Sequence, residues 1–183
     1  MSRRLPPREE ALSFLAKAGC SVGVVRHSKA VAALAVKIAG ACRKKGLKVD
    51  VQLVEIGALL HDVGRSRTHS INHVMAGVGI ARSLGLPDPV VSIIERHAGS
   101  GISQDEAQRL GWPVKNYVPL TLEEKIVTYA DKLIEGLKKV PIEQVLEKFV
   151  KDNLPQSSIL RMKRLHEEFS PLLGDSDADD NAS

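Results

Sequence analysis

Aromatic side chains are scarce in this chain: three Phe, two Tyr and one Trp make up 3% of it. The core must therefore be assembled from Ala, Val, Leu and Ile. That composition suits closely packed helices better than an aromatic-rich β-sandwich. The same scarcity argues against stacking platforms for single-stranded nucleic acid. Cysteine is rarer still. Cys20 and Cys42 stand alone, neither in a CxxC motif, so no disulfide framework is implied. Cys42 lies in an apolar segment and reads as a small core residue. No stretch approaches the ~20 apolar residues needed to span a bilayer. The basic stretch Met1–Pro7 is not followed by the apolar run of a secretory signal. The cytoplasm is the expected location, with no membrane partner. Strand-length alternation is absent, and so is any internal repeat.

What is present reads as helix. At 183 residues and 43% hydrophobic content, the chain suits one domain, since domains run from about 50 to 200 residues. Helices are expected over Pro7–Lys17, stopped by Gly19, and over Val24–Lys45, stopped by Gly46. A third runs from Val51 to about His61 with Asp50 as N-cap. A polar, Gly-containing loop follows. A fourth covers His73–Leu84, and Asp88-Pro89 opens a fifth as cap and first-turn proline. Ser103 and Glu106 form a capping box for a short helix to Leu110. Thr121 and Glu124 form another, for a helix to about Lys138. Ile142–Asn153 and Ser157–Leu173 complete an all-α chain. The expected organisation is one helical domain over 1–174, with its motif-bearing core at about 24–137 and C-terminal helices at 141–173. An acidic tail, 175–183, is expected to be disordered. The net charge is +4, and the tail holds Asp175, Asp177, Asp179 and Asp180 with no base, so the body alone carries +8. A basic body is compatible with phosphate-bearing ligands or nucleic acid, though many of its cations lie on ordinary solvated helix faces.

The chemistry gathers around Leu60-His61-Asp62-Val63-Gly64, where an apolar helix ends in an imidazole beside a carboxylate. Adjacent residues on a regular helix point about 100° apart, but at a helix end the backbone can turn so that both converge. Such a pair suits Zn, Mn, Fe, Co or Ni. His27 falls on the apolar seam of its helix with Val31, Leu34 and Ile38. His73 shares a face with Gly77, Ile80 and Leu84, and His97 follows Val90, Ile93 and Ile94. Buried imidazoles need partners. One such histidine is most simply a hydrogen-bonded core residue; four on four helices are most simply explained by convergence on one centre. Asp131 lies at the edge of the apolar stripe formed by Val127 and Ile134, where a carboxylate needs a cation.

The order His27, His61-Asp62, Asp131 resembles the HD superfamily of metal-dependent phosphohydrolases. His61-Asp62-Val63-Gly64 is similar to its His-Asp-(Ile/Val)-Gly variant, and Tyr129-Ala130-Asp131-Lys132 to its C-terminal Asp motif. The resemblance covers about Val24 to Leu137. It implies a single helical bundle of HD type with His27, His61, Asp62 and Asp131 holding one divalent transition metal. Some branches add two histidines between the His-Asp pair and the last Asp and hold two ions, and His73 and His97 match that order. The alternative for these two is a hydrogen bond in the core or a substrate contact. The Gly-Tyr-Pro signature of the cyclic-di-GMP branch is absent.

The implied activity is hydrolysis of a phosphomonoester or phosphodiester in a small, nucleotide-like substrate. A bound ion lowers the pKa of water so that in-line attack on phosphorus becomes feasible near neutral pH, and Asp62 would bridge two ions. Arg65 is a candidate phosphate clamp and Lys132 a second positive charge; each is otherwise a solvated base. His69 is a substrate contact, a proton donor or a plain loop residue. Two further readings stand beside this one. A di-iron oxygenase of HD type would use the same six ligands, and a non-catalytic nucleotide- or RNA-binding module would use the basic body without turnover.

Overall fold

The computed structural model describes residues 4–173, so the acidic tail expected at 175–183 lies outside the described residues. Nine α-helices run along the chain among the described residues: α1 (Arg8–Ala18), α2 (Val22–Lys44), α3 (Val51–Leu60), α4 (His73–Ser83), α5 (Asp88–Arg96), α6 (Gln104–Arg109), α7 (Leu122–Leu133), α8 (Ile142–Lys151) and α9 (Gln156–Leu173). The fold is all-α. The local signals act where their chemistry requires. Asp50 accepts from Leu53 N at 3.0 Å and caps α3. The capping boxes Ser103/Glu106 and Thr121/Glu124 are both complete, each cap stabilising its helix by about 1 kcal/mol. Ser21 caps α2, which starts at Val22, two residues ahead of the expected start.

The long α2 packs against α3 and α7, and α3 also packs on α5 and α7. Val31, Ala35 and Ile38 of α2 meet Ile56, Leu59 and Leu60 of α3, Ile93 and Ile94 of α5, and Ile126 and Ala130 of α7 in one core. Burying each large aliphatic side chain there contributes about 1.5–3 kcal/mol. The core is aliphatic, as the scarcity of aromatics requires. The few aromatics in it are Tyr129, Phe149 and Phe169. Tyr129 lies 5.4 Å from Phe169, ring to ring, and its hydroxyl is 2.9 Å from His166 Nδ1. A second, smaller cluster joins Val74, Ala98, Ile102, Ala107, Trp112 and Tyr117. There the indole of Trp112 donates to Asn72 Oδ1 at 2.8 Å, at the entrance of α4.

Two expectations are corrected. The helix expected to reach Lys138 stops at Leu133. Ile134 turns to extended backbone (φ −106°, ψ 111°), and two-residue strands β1 (Ile134–Glu135) and β2 (Lys138–Lys139) pair antiparallel. Gly136 in their turn takes φ +62°, a left-handed conformation that costs a non-glycine residue roughly 1–2 kcal/mol. Asp88 lies inside α5, with Pro87 as the cap and Pro89 still in the first turn. The loop after Asp62 contains a 3-10 turn, Val63–Ser66. No helix among the described residues is long and apolar enough to cross a membrane.

Candidate metal centre

The His-Asp pair converges because α3 ends between its members. His61 still has helical backbone (φ −52°, ψ −39°), whereas Asp62 has left it (φ −98°, ψ 14°). That single turn redirects the carboxylate toward the imidazoles. His61 Nε2 lies 3.6 Å from Asp62 Oδ2 and 3.3 Å from Asp131 Oδ1. Asp131, in the last turn of α7, also lies 3.0 Å from His27 Nε2. On the other side, Asp62 Oδ1 is 3.2 Å from His73 Nε2 and 3.5 Å from His97 Nε2. Those two nitrogens are themselves 3.1 Å apart. All six residues expected as ligands thus lie together, and Asp62 stands between two groups with one oxygen toward each.

Every ring is oriented by its other nitrogen. His61 Nδ1 donates to Ala58 O at 2.7 Å, His73 Nδ1 to Ser70 O at 2.8 Å and His97 Nδ1 to Ile94 O at 2.8 Å. In each case the acceptor is three residues back, the reach of a side chain at a helix end. His27 Nδ1 donates to Gly136 O at 3.3 Å. A carbonyl can only accept, so each Nδ1 carries a proton and each neutral ring offers a bare Nε2 lone pair. Bare Nε2 atoms on His73 and His97 facing each other and a carboxylate form a nest of acceptors, which needs a proton or a cation. His61 Nε2 and Asp62 Oδ1 are buried without a hydrogen bond of good geometry. The donor atoms of His27, His61 and Asp131 lie within 4.8 Å of one another, as do those of His61, Asp62 and His97. Buried N and O donors of this kind fit divalent transition metals.

Electrostatics agree with that fit. Burial opposes ionisation of Asp62, but His61, His73 and His97 outweigh it and hold the carboxyl well below its usual range. Asp131 is likewise held low against burial by Lys132, His61 and His27. Burial, with the charge on His61, pushes His97 down to about 4, so it is neutral at pH 7. Burial also opposes charge on His61, yet the carboxylates of Asp62 and Asp131 prevail and raise it to about 9. Without metal, His61 therefore holds a proton at pH 7 that an incoming ion must displace. Metal binding is expected to release one proton, and apparent affinity to rise about tenfold per pH unit up to about pH 9. Calorimetry at pH 7 in two buffers of different ionisation enthalpy measures this. Equal heats in both, with pH-independent affinity, would remove His61 from the ligands.

The flanking bases are tied to the acids. Arg65 Nε donates to Asp62 Oδ2 at 2.6 Å, and Lys132 Nζ sits 2.7 Å from Asp131 Oδ2. Both line a cavity of about 970 Å³ that also touches His27, Asp62 and Asp131. The side chain of His69 is exposed, and its backbone carbonyl lies 3.4 Å from Arg65 Nη1. Sequence reasoning missed the carbonyl of Gly136, which orients His27 from the hairpin. A glycine five residues after Asp131 was the available signal for a turn there.

With this geometry, the comparison with known proteins is direct. The HD domain family model matches residues 24–136, and the chain belongs to that family. It is 50% identical over 168 residues to an uncharacterized protein of Methanocaldococcus jannaschii, covering 90% of this chain and 98% of that protein. It is 40% identical over 170 residues to the tRNA (cytidine(56)-2'-O)-methyltransferase of Picrophilus torridus, covering 93% of this chain and 48% of that enzyme. The chain thus spans about half the length of that relative. Among solved structures, the HD domain of the L. monocytogenes phosphodiesterase PgpH in complex with cyclic-di-AMP has a similar fold. Its TM-score is 0.53 at 16% identity, over 85% of this chain and 92% of that one.

Proposed function

We propose that this protein is a metal-dependent phosphohydrolase that cleaves a phosphomonoester or phosphodiester of a nucleotide-like substrate. The observation that carries this reading is the meeting of four imidazole Nε2 atoms and two carboxylates, with every Nδ1 committed to a backbone carbonyl. His27, His61, Asp62 and Asp131 would hold one ion, and His73 and His97 with Asp62 a second. Divalent ions there supply Lewis acidity toward phosphoryl oxygens and acidify water toward neutral pKa. Arg65 is anchored through Nε on Asp62 and through Nη1 on the His69 carbonyl, which leaves Nη2 to donate to a phosphate in the cavity. Lys132, held by Asp131, adds positive charge in the same cavity. The cyclic-di-AMP held by the PgpH domain supports a nucleotide-like ligand, and kinship with a tRNA methyltransferase supports one derived from RNA.

The test is metal analysis of the purified protein, then turnover of p-nitrophenyl phosphate, bis(p-nitrophenyl) phosphate and nucleotides with Mn, Co, Ni, Fe and Mg. The expected result is bound transition metal and turnover that a chelator abolishes and added metal restores. Metal-loaded protein that hydrolyses none of them overturns the reading. Nucleotide binding without turnover would then favour a binding module, and an oxygen-dependent optical change with iron an oxygenase.

A further inference from the structure

Five cations line the cavity above the candidate centre: Arg26, Arg65, Arg109, Lys132 and Lys148. Three of them already have acids. Arg65 pairs with Asp62, Lys132 with Asp131 and Lys148 with Glu135. Arg26, on α2 beside His27, and Arg109, at the end of α6, are exposed and have no acid partner among the described residues. The lining acids outside the centre do not neutralise them. Glu106 is bound by Arg161, and Glu135 by Gln144 and Lys148. Asp152, at the end of α8, is the lining acid left without a cation among the described residues. The same cavity is also walled by aliphatic and aromatic side chains: Ile134, Val140, Val145, Phe149 and Leu154. The volume of about 970 Å³ lies at the upper end of ordinary ligand pockets, about 300–1,000 Å³.

We propose that Arg26 and Arg109 form a second anion subsite, so that the preferred ligand is a nucleoside carrying two phosphate groups. This rests on the phosphohydrolase reading above. One phosphate lies at the centre with Arg65 and Lys132, the nucleoside covers the apolar wall, and the second phosphate meets Arg26 and Arg109. A small phosphomonoester would leave the wall wet and both arginines without a counter-charge. Guanidinium groups suit the task because their planar forks match phosphate oxygens bidentately. The same chemistry occurs at the end of an RNA chain and in a cyclic dinucleotide.

The test compares ligands by microscale thermophoresis on the Mn-loaded protein. Adenosine 3′,5′-bisphosphate is expected to bind about tenfold tighter than either the 3′- or the 5′-monophosphate, a difference of about 1.4 kcal/mol. That ratio is expected to fall to about one in the R26A/R109A double variant and to shrink as salt is added. The R26K/R109K variant is expected to keep part of it. A ratio near one in wild type, or a ratio that survives the double alanine change, overturns the subsite. Turnover of the phosphate-ester and nucleotide panel decides the hydrolase reading separately, and the ratio is read whether or not a bond is cleaved. Linear 5′-phosphorylated diadenylate and cyclic-di-AMP form the remaining arms. The tighter one identifies the source, and neither binding more tightly than the monophosphates counts against the proposal.

Discussion

Asp62→Ala is expected to abolish turnover, by on the order of 10³-fold or more, and to lower metal content more than any single histidine change. The reason is its place between two groups. One oxygen faces His61 and the other faces His73 and His97, so its loss weakens both candidate ion sites at once. Asp62→Asn keeps the shape and removes the charge, and so isolates the electrostatic part. The fold should largely survive, because the pair lies at the end of α3 and the packed helices beneath are aliphatic. The histidine changes divide the centre. His73→Ala and His97→Ala are each expected to lose one ion per chain, while the ion of His27, His61 and Asp131 remains. Metal analysis at saturating Mn or Fe reads the outcome. A stoichiometry of one in wild type, unchanged in both variants, means that no second ion site exists. Full activity in Asp62→Ala would sink the hydrolytic mechanism itself.

Gly64→Ala is expected to be the most damaging change outside the ligands. A Cβ at Gly64 would stand 1.8 Å from His73 O and 2.5 Å from Gly77 N. Both are backbone atoms, so no rotamer change relieves the clash and α4 must move as a body. Overpacking of this kind costs about 3 kcal/mol, or roughly 6–12 °C in Tm for a chain of this size. The displacement also draws His73 away from Asp62, so metal stoichiometry should fall with the melting temperature. Two neighbours calibrate the experiment. Gly77→Ala would meet Ile94 Cγ2 at 2.9 Å and Gly64 N at 3.4 Å; a side-chain methyl can give way, and about 1 kcal/mol is expected. Gly79, on the same helix, has nothing within 4 Å of its Cβ position. Alanine there should be neutral or stabilise by up to ~1 kcal/mol through helix propensity. Equal melting of Gly64→Ala and Gly79→Ala would show that the loop and α4 do not interlock.

The sequence by itself determined the local events. The caps at Asp50, Ser103 and Thr121 were legible because a side chain there reaches a backbone N–H three residues on. The aliphatic core was legible from composition and helical spacing. The four histidines and two acids were legible as a set, by residue type and order. Other features depend on partners that no local rule names. The helix expected through Lys138 ends at Leu133 because the backbone turns extended at Ile134, which stays in the core, and Val140 N then bonds Leu133 O at 2.8 Å, closing a hairpin. That hairpin, in turn, brings Gly136 O to His27, 109 residues away in sequence. Arg65 was readable as a free clamp, but only the folded loop ties its Nε to Asp62. His73 and His97 meet across 24 residues because α4 and α5 pack side by side, and Gly64 matters because α4 begins against it. Hydrogen bonds at i to i+3 are written in neighbouring residues; the meeting of side chains from five elements is decided by how those elements pack.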